Sequence, residues 1–238
     1  MSTDPAALVT GGARRVGRAI VERLAAAGYR VAFTYHKSSA EDLAWASKIS
    51  TLLIQADLTD LPQAAIAVAG EVRQSLGRLD VLVNNASIYE PSALAQTNVE
   101  QIRRLNRIHV EAPLLLVQQL APLLRGVRGH VINMIDLMAE RPMPQYLAYC
   151  ASKAALMNLT LGLARELAPE VTVNAIAPGV VEWPANYPEE DKQKYLKRVP
   201  LARPGTPADV AETVHFLVTG GSYITGQIIR LDGGRSIT

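Results

Sequence analysis

Cysteine is almost missing from this chain. Cys150 is the one thiol among 238 residues, which excludes an intrachain disulfide and suits a reducing, cytoplasmic setting. An excess of one charge is missing too. The 24 Lys+Arg against 22 Asp+Glu leave a formal charge of +2, too small to point to nucleic acid or a membrane surface. No apolar run reaches the ~18 residues that a membrane span needs. Met1-Ser2-Thr3-Asp4-Pro5 has no basic segment followed by an apolar core, so no signal peptide is read there. There is no internal repeat, no linker and no assigned metal-ligand set. The length is routine for one α/β domain spanning 1–238, which would bury roughly three quarters of its unfolded surface.

Short apolar runs read as strands at Ala6–Thr10, Arg30–Tyr35, Thr51–Gln55, Leu79–Val83, His130–Ile135, Val171–Ile176 and Ile228–Leu231. Helical spacing appears between them. Ile20, Leu24 and Ala27 repeat before a stop at Gly28, and further helices read over Leu61–Ser75, Leu105–Leu124, Tyr149–Ala168 and Pro207–Val218. Pro113 is a potential kink in the third of these. This alternation predicts an α/β fold, a doubly wound parallel seven-stranded sheet with helices on both faces.

The first strand runs into Gly11-Gly12-Ala13-Arg14-Arg15-Val16-Gly17 and then a helix. Such a turn lets backbone approach a pyrophosphate, and the helix N-terminus supplies N–H groups and a positive dipole end. An NAD site usually places a carboxylate near the end of the second strand. Here that place reads His36-Lys37-Ser38. The acids Glu41 and Asp42 come later, and Ser38-Ser39-Ala40-Glu41 reads as a capping box. Arg15, Lys37 and Ser38 are therefore candidates for a 2′-phosphate, or else solvated surface groups. Two charge-assisted contacts at about 1.5 kcal/mol each would favour NADPH roughly a hundredfold. Asp57 leaves the third strand, where it could accept from an adenine amino group or cap the following helix. Asn84-Asn85-Ala86-Ser87 leaves the fourth, where small and amide residues let an adenosine lie against backbone.

In Asp136 to Lys153 the strand-like run ends and a helix opens at Tyr149. Tyr149 and Lys153 share a helical face, and an ammonium beside a phenol is expected to lower the tyrosine pKa and make it a usable proton donor. Asp136 could reach the same pocket, or could simply be a strand-end turn residue.

Together these pieces resemble the short-chain dehydrogenase/reductase family over essentially the whole chain. The matching motifs are Thr10-Gly11 to Gly17, Asp57, Asn84-Asn85-Ala86, Tyr149 with Lys153, Pro178-Gly179, and Thr225-Gly226-Gln227 with Asp232-Gly233-Gly234. The resemblance implies a single-domain Rossmann fold in which 1–90 mainly binds cofactor and 130–200 supplies the catalytic segment and a substrate lid. It implies NADPH held by Gly11, Arg14, Arg15, Val16, His36, Lys37, Ser38, Asp57, Leu58, Asn85, Ala86, Ser87, Tyr149, Lys153, Pro178 and Gly179. It also implies a homotetramer, with Ala155, Leu159, Gly162 and Leu163 on a helix face that helps form the dimer.

Four departures narrow this. Arg15 stands where the family's loop usually has glycine, and Ser87 where glycine usually follows Asn-Asn-Ala. Asp136 replaces the catalytic serine, and His109 replaces a structural asparagine, either as a hydrogen-bonding substitute or as a space filler. The first three, with Tyr35-His36-Lys37-Ser38 and Ser87-Ile88-Tyr89-Glu90-Pro91, are similar to pteridine reductases, and the His109 context is similar to bacterial dihydromonapterin reductases. An ionised carboxylate would repel the oxyanion of ketone reduction, whereas C=N reduction needs a proton at a ring nitrogen. The expected activity is therefore NADPH-dependent reduction of a dihydropterin, dihydromonapterin or dihydrofolate, with Asp136, Tyr149 and Lys153 catalytic. Substrate contacts are expected from Arg15, Ser87, Tyr89, Asp136, Tyr149 and Trp183, with Tyr89 stacking on the pterin or else exposed. Glu182–Pro200 reads as a lid, its charged run equally a plain surface helix. The competing expectations are a 3-oxoacyl-type carbonyl reductase and a non-catalytic NADPH-binding protein.

Overall fold

Strands apolar on both faces need cover on both, and the central ones here are of that kind. The strands are β1 (Ala6–Val9), β2 (Arg30–Tyr35), β3 (Leu52–Gln55), β4 (Val81–Asn84), β5 (His130–Met134), β6 (Thr172–Pro178) and β7 (Ile228–Leu231). Every residue of β1 and β4 is buried. The helices are α1 (Arg15–Ala26), α2 (Ala40–Ala44), α3 (Gln63–Ser75), α4 (Val99–Asn106), α5 (Ala112–Val127), α6 (Leu147–Glu166), α7 (Glu189–Leu196) and α8 (Pro207–Thr219). The computed structural model describes residues 3–50, 52–91, 93–183 and 187–238, so Thr51 and positions 184–186 of the expected lid lie outside the described residues.

The strands form one parallel seven-stranded sheet in the order β3-β2-β1-β4-β5-β6-β7. Alternate residues serve opposite faces. Ala7, Val9, Val81 and Val83 pack with Val21 and Leu24 of α1 and Val210, Val214 and Leu217 of α8. Leu8, Leu82 and Val131 pack on the other side with Val72 of α3, Leu116 and Leu120 of α5, and Leu163 of α6. The direction of strand addition reverses between β1 and β4, which opens a crevice at their C-terminal ends.

The expected helix over Leu105–Leu124 is not continuous. A π-turn, Arg107–Glu111, separates α4 from α5. Pro113 lies in the first turn of α5 and has no N–H to donate to the carbonyl of His109, so the helix widens just before it. The N-terminal cap of α2 also shifts by one residue. Ser39 and Asp42, not Ser38 and Glu41, form the capping box, which leaves Ser38 free to face the crevice. Helix α6 starts at Leu147, placing Tyr149 in its first turn. By length and composition α6 is apolar enough to cross a membrane, yet Tyr149, Lys153, Leu156 and Leu163 are buried within the protein.

Gly17 is where α1 meets the crevice wall. A Cβ there would stand 2.1 Å from the Gly11 carbonyl oxygen and 2.7 Å from Asn85 Nδ2. Gly17→Ala is expected to destabilise the fold by about 1–3 kcal/mol or more, read as a lowered urea midpoint; an unchanged midpoint would show that the loop can yield.

Candidate active site

The crevice is built by stitching two strand ends together. Thr10 Oγ1 accepts from the backbone N–H groups of Asn85 and Ala86, each at 2.9 Å. Asn85 Nδ2 in turn donates to the carbonyls of Thr10 (2.9 Å) and Gly11 (3.1 Å). Gly11 has φ +66°, and a Cβ there would sit 3.0 Å from Ala86 Cα. The position therefore needs glycine for both conformation and space. Arg14, at the start of α1, makes no side-chain cap, so the first N–H groups of the helix are open to a ligand.

The result is a groove of about 500 Å³ lined by Gly11, Arg14, Arg15, Val16, His36, Lys37, Ser38, Asp57, Leu58, Asn85, Ala86 and Ser87. These are all the cofactor positions expected from the first half of the chain. Thr34, Thr59, Ile88, Arg104 and Ile108 also line it. The last three come from the loop after β4 and from α4 and its π-turn, and no local pattern announced them. A glycine turn, an uncapped helix start and a basic strand end together fit a phosphorylated dinucleotide.

Asp57 does not cap α3, which begins at Gln63. Its Oδ1 accepts from Thr59 N (2.9 Å) and Thr59 Oγ1 (2.7 Å). Burial opposes its ionisation, but the Thr59 hydrogen bonds and the nearby His36 and Lys37 charges prevail and hold the carboxyl below its ordinary range. Arg15 takes φ +52°, a left-handed conformation that costs a non-glycine residue about 1–2 kcal/mol. Its guanidinium pairs with Glu182 at 2.5 Å.

Three residues meet at the ends of β5 and α6. Tyr149 Oη donates to Asp136 Oδ2 at 2.8 Å, and Asp136 Oδ1 accepts from Met138 N at 2.8 Å. Asp136 is thus both a turn residue and the partner of Tyr149. Lys153, 2% exposed, donates to the Met134 carbonyl at 2.8 Å and lies 5.8 Å from the centre of the Tyr149 ring. The expected lowering of the Tyr149 pKa is overturned. Burial and the Asp136 carboxylate hold the phenol well above its ordinary value. Burial likewise pushes Asp136 up and brings Lys153 down to about 8. A helical spacing argument sees the ammonium but neither the desolvation nor the carboxylate.

Tyr89 projects from the loop after β4 and is 47% exposed. Its ring stacks on Tyr146 (4.8 Å, 18°) and meets Tyr149 edge-on (5.1 Å, 88°). Tyr146 was not anticipated; its place three residues before Tyr149 was the available signal. Trp183 stacks on Tyr187 and meets Tyr195 of α7 edge-on. Tyr195 Oη accepts from Val180 N at 3.1 Å, which ties α7 to the loop after Pro178 and Gly179. Burial, Tyr146, Asp136 and Tyr187 all push Tyr89 up, so Tyr187 lies near the same ring.

A family model described as Enoyl-(Acyl carrier protein) reductase matches residues 11–236. The 3-oxoacyl-acyl-carrier-protein reductase FabG of Staphylococcus aureus is 36% identical, covering 98% of this chain and 99% of that one. Pteridine reductase 1 of Leishmania tarentolae is 32% identical, over 99% and 98%. Dihydromonapterin reductase of an Enterobacter species is 34% identical, over 97% and 96%. Among solved structures, a short chain dehydrogenase from Burkholderia cenocepacia in complex with NADP superposes with a TM-score of 0.90 at 37% identity, over 98% of each chain.

Proposed function

The chain belongs to the short-chain dehydrogenase/reductase family of oxidoreductases, and from that premise we propose that it is an NADPH-dependent pteridine reductase acting on the C=N bond of a dihydropterin, dihydromonapterin or dihydrofolate. The observation that carries this is the hydrogen bond from Tyr149 to Asp136 at 2.8 Å. A carboxyl group there suits a substrate that presents ring N–H groups and takes up a proton at nitrogen. NADPH, when bound, supplies the hydride. Tyr149 and Asp136 hold the proton, and their coupling means that it belongs to the pair. Lys153 keeps a cation beneath the Tyr149 ring and is placed to hold ribose hydroxyls. Tyr89, with Tyr146 at its back, offers an aromatic surface to a flat heterocycle. Residues 1–90 serve mainly the cofactor, and 130–200 serve catalysis and the lid; the working form is a cytoplasmic homotetramer.

The 2′-phosphate of NADPH is assigned to Arg15, Lys37 and Ser38. Arg15 supports this by its backbone, because a residue kept at φ +52° against its preference points to a function for the side chain. Arg15→Gly is expected to leave fold stability within about 1 kcal/mol and to raise the KM for NADPH about tenfold with little change for NADH. Equal losses for both nucleotides would remove Arg15 from the phosphate site.

A carbonyl reductase is the second reading, supported by the 36% identity to FabG. NADPH oxidation with dihydrobiopterin, dihydromonapterin, dihydrofolate and an acetoacetyl thioester, each with native protein and Asp136→Ser, separates the two. Pterin turnover that Asp136→Ser strongly reduces supports the proposal. Turnover of the thioester alone refutes it, and nucleotide binding without any turnover would mark a binding protein.

A further inference from the structure

His109 sits in the π-turn where an amide was expected, and its ring is hydrogen-bonded on both sides. It is 1% exposed and meets the Tyr149 ring edge-on at 5.5 Å. Its Nε2 lies 2.8 Å from Ser87 Oγ and 3.3 Å from Ile88 N, and its Nδ1 lies 2.8 Å from Ser152 Oγ. The two ends of this chain of contacts fix the tautomer. The Ile88 N–H can only donate, so Nε2 carries no proton. At the other end the Tyr149 carbonyl can only accept. Ser152 therefore gives it its single hydroxyl hydrogen, at 2.7 Å, and must accept from Nδ1–H. Both ends place the proton on Nδ1. Burial and the Lys153 charge push the imidazole pKa down to about 2, so the ring is neutral wherever the protein works.

One consequence concerns the groove. Nε2 also accepts from Ser87, whose hydroxyl hydrogen is therefore turned into the protein. Ser87 itself is exposed and lines the groove. We propose that His109 sets the polarity of Ser87, so that this hydroxyl presents only lone pairs to the groove and reads a hydrogen-bond donor, an N–H or O–H, on the bound ligand. The donor belongs either to the cofactor, through a ribose hydroxyl or its carboxamide, or to the substrate, through a ring N–H or amino group. In the second case the inference rests on the pterin reading; in the first it does not. His109 is a positioning residue here, because it acts through Ser87.

The test has a structural arm and a binding arm. In protein carrying nitrogen-15 histidine, with His109→Asn used to assign the signal, the His109 ring is expected to bear its proton on Nδ1 and not to titrate between about pH 5 and 8. A proton on Nε2, or a ring that titrates, overturns the proposal. Ser87→Ala is expected to raise either the Kd of NADPH (tryptophan fluorescence) or the KM of dihydrobiopterin about five- to tenfold. The first result names the cofactor as the donor and the second the substrate. In a His109→Phe background, where the hydroxyl is free to rotate, Ser87→Ala should cost less than in the native protein. If Ser87→Ala leaves both constants within about twofold, the proposal fails. Should the native protein not turn over pterins, the NADPH titration and the ring signal still decide, so this failure is distinguishable from that of the pterin reading.

Discussion

On the proposed reading, Asp136→Asn is expected to lower dihydropterin reduction by about 10²- to 10⁴-fold and at the same time to raise the thermal midpoint of the protein at neutral pH. The first effect follows from loss of one member of a proton-holding pair, since Asn cannot supply a proton. The second follows from linkage. Burial raises the folded-state pKa of Asp136 above its ordinary 3.8. Between 3.8 and the folded value the native state binds a proton that the unfolded state has released, so stability falls as pH rises through that window. Above that window the cost of holding a carboxylate in this buried place persists, and an amide avoids it. The geometry can be kept, because the Asn Oδ1 can take the Met138 N–H while its Nδ2 donates to Tyr149. Melting curves at neutral pH and at about pH 3, below the ordinary carboxylate range, check this: the gain should shrink toward zero in acid. A variant that melts lower at neutral pH would sink the argument from burial.

Tyr149→Phe is expected to carry the other large effect, a loss of about 10²- to 10⁴-fold in kcat. The Tyr149 hydroxyl donates to Asp136 at 2.8 Å, and on the proposed mechanism the two act as one unit. The double variant Tyr149→Phe with Asp136→Asn should therefore cost little more than the worse single variant. Losses that multiply would mean two independent groups. The pH profile supplies a third readout. The acid pair works while protonated, and Lys153 keeps its cation below about 8. Turnover is thus expected to be present on the acid side and to fall as pH rises through about 8, and a profile rising there would contradict both roles.

Much of this was legible because it is local. The strand runs, the glycine turn and the basic end of β2 are contiguous in sequence, and the parallel sheet follows from their alternation with helices. Asp136 was legible as a departure from a recognised motif. What was not legible is either degenerate or long-range. Ser38-Ser39 and Glu41-Asp42 offer two capping registers, and the chain used the second. The π-turn interrupts a stretch whose residues all tolerate helix, and only a proline without an N–H hints at it. The Arg15–Glu182 pair joins residues 167 apart. The direction of the Tyr149 shift needed burial, which spacing does not report.

The strand order also bears on the birth of the chain at the ribosome. β1 emerges first and ends as the third strand of the finished sheet. β2 and β3 can add outward from it on one side, and β4, β5, β6 and β7 can then add in turn on the other. Every newcomer meets an open edge, and no strand has to be wedged between two already paired. An emerging fragment that has passed Asn85 already holds both residues of the Thr10–Asn85 stitch, and so much of the groove's lining. Tyr149 and Lys153 arrive later. Synthesis from the N-terminus thus allows a nucleotide to find a template before the acid group exists, and a ligand present during translation could favour the correct first sheet.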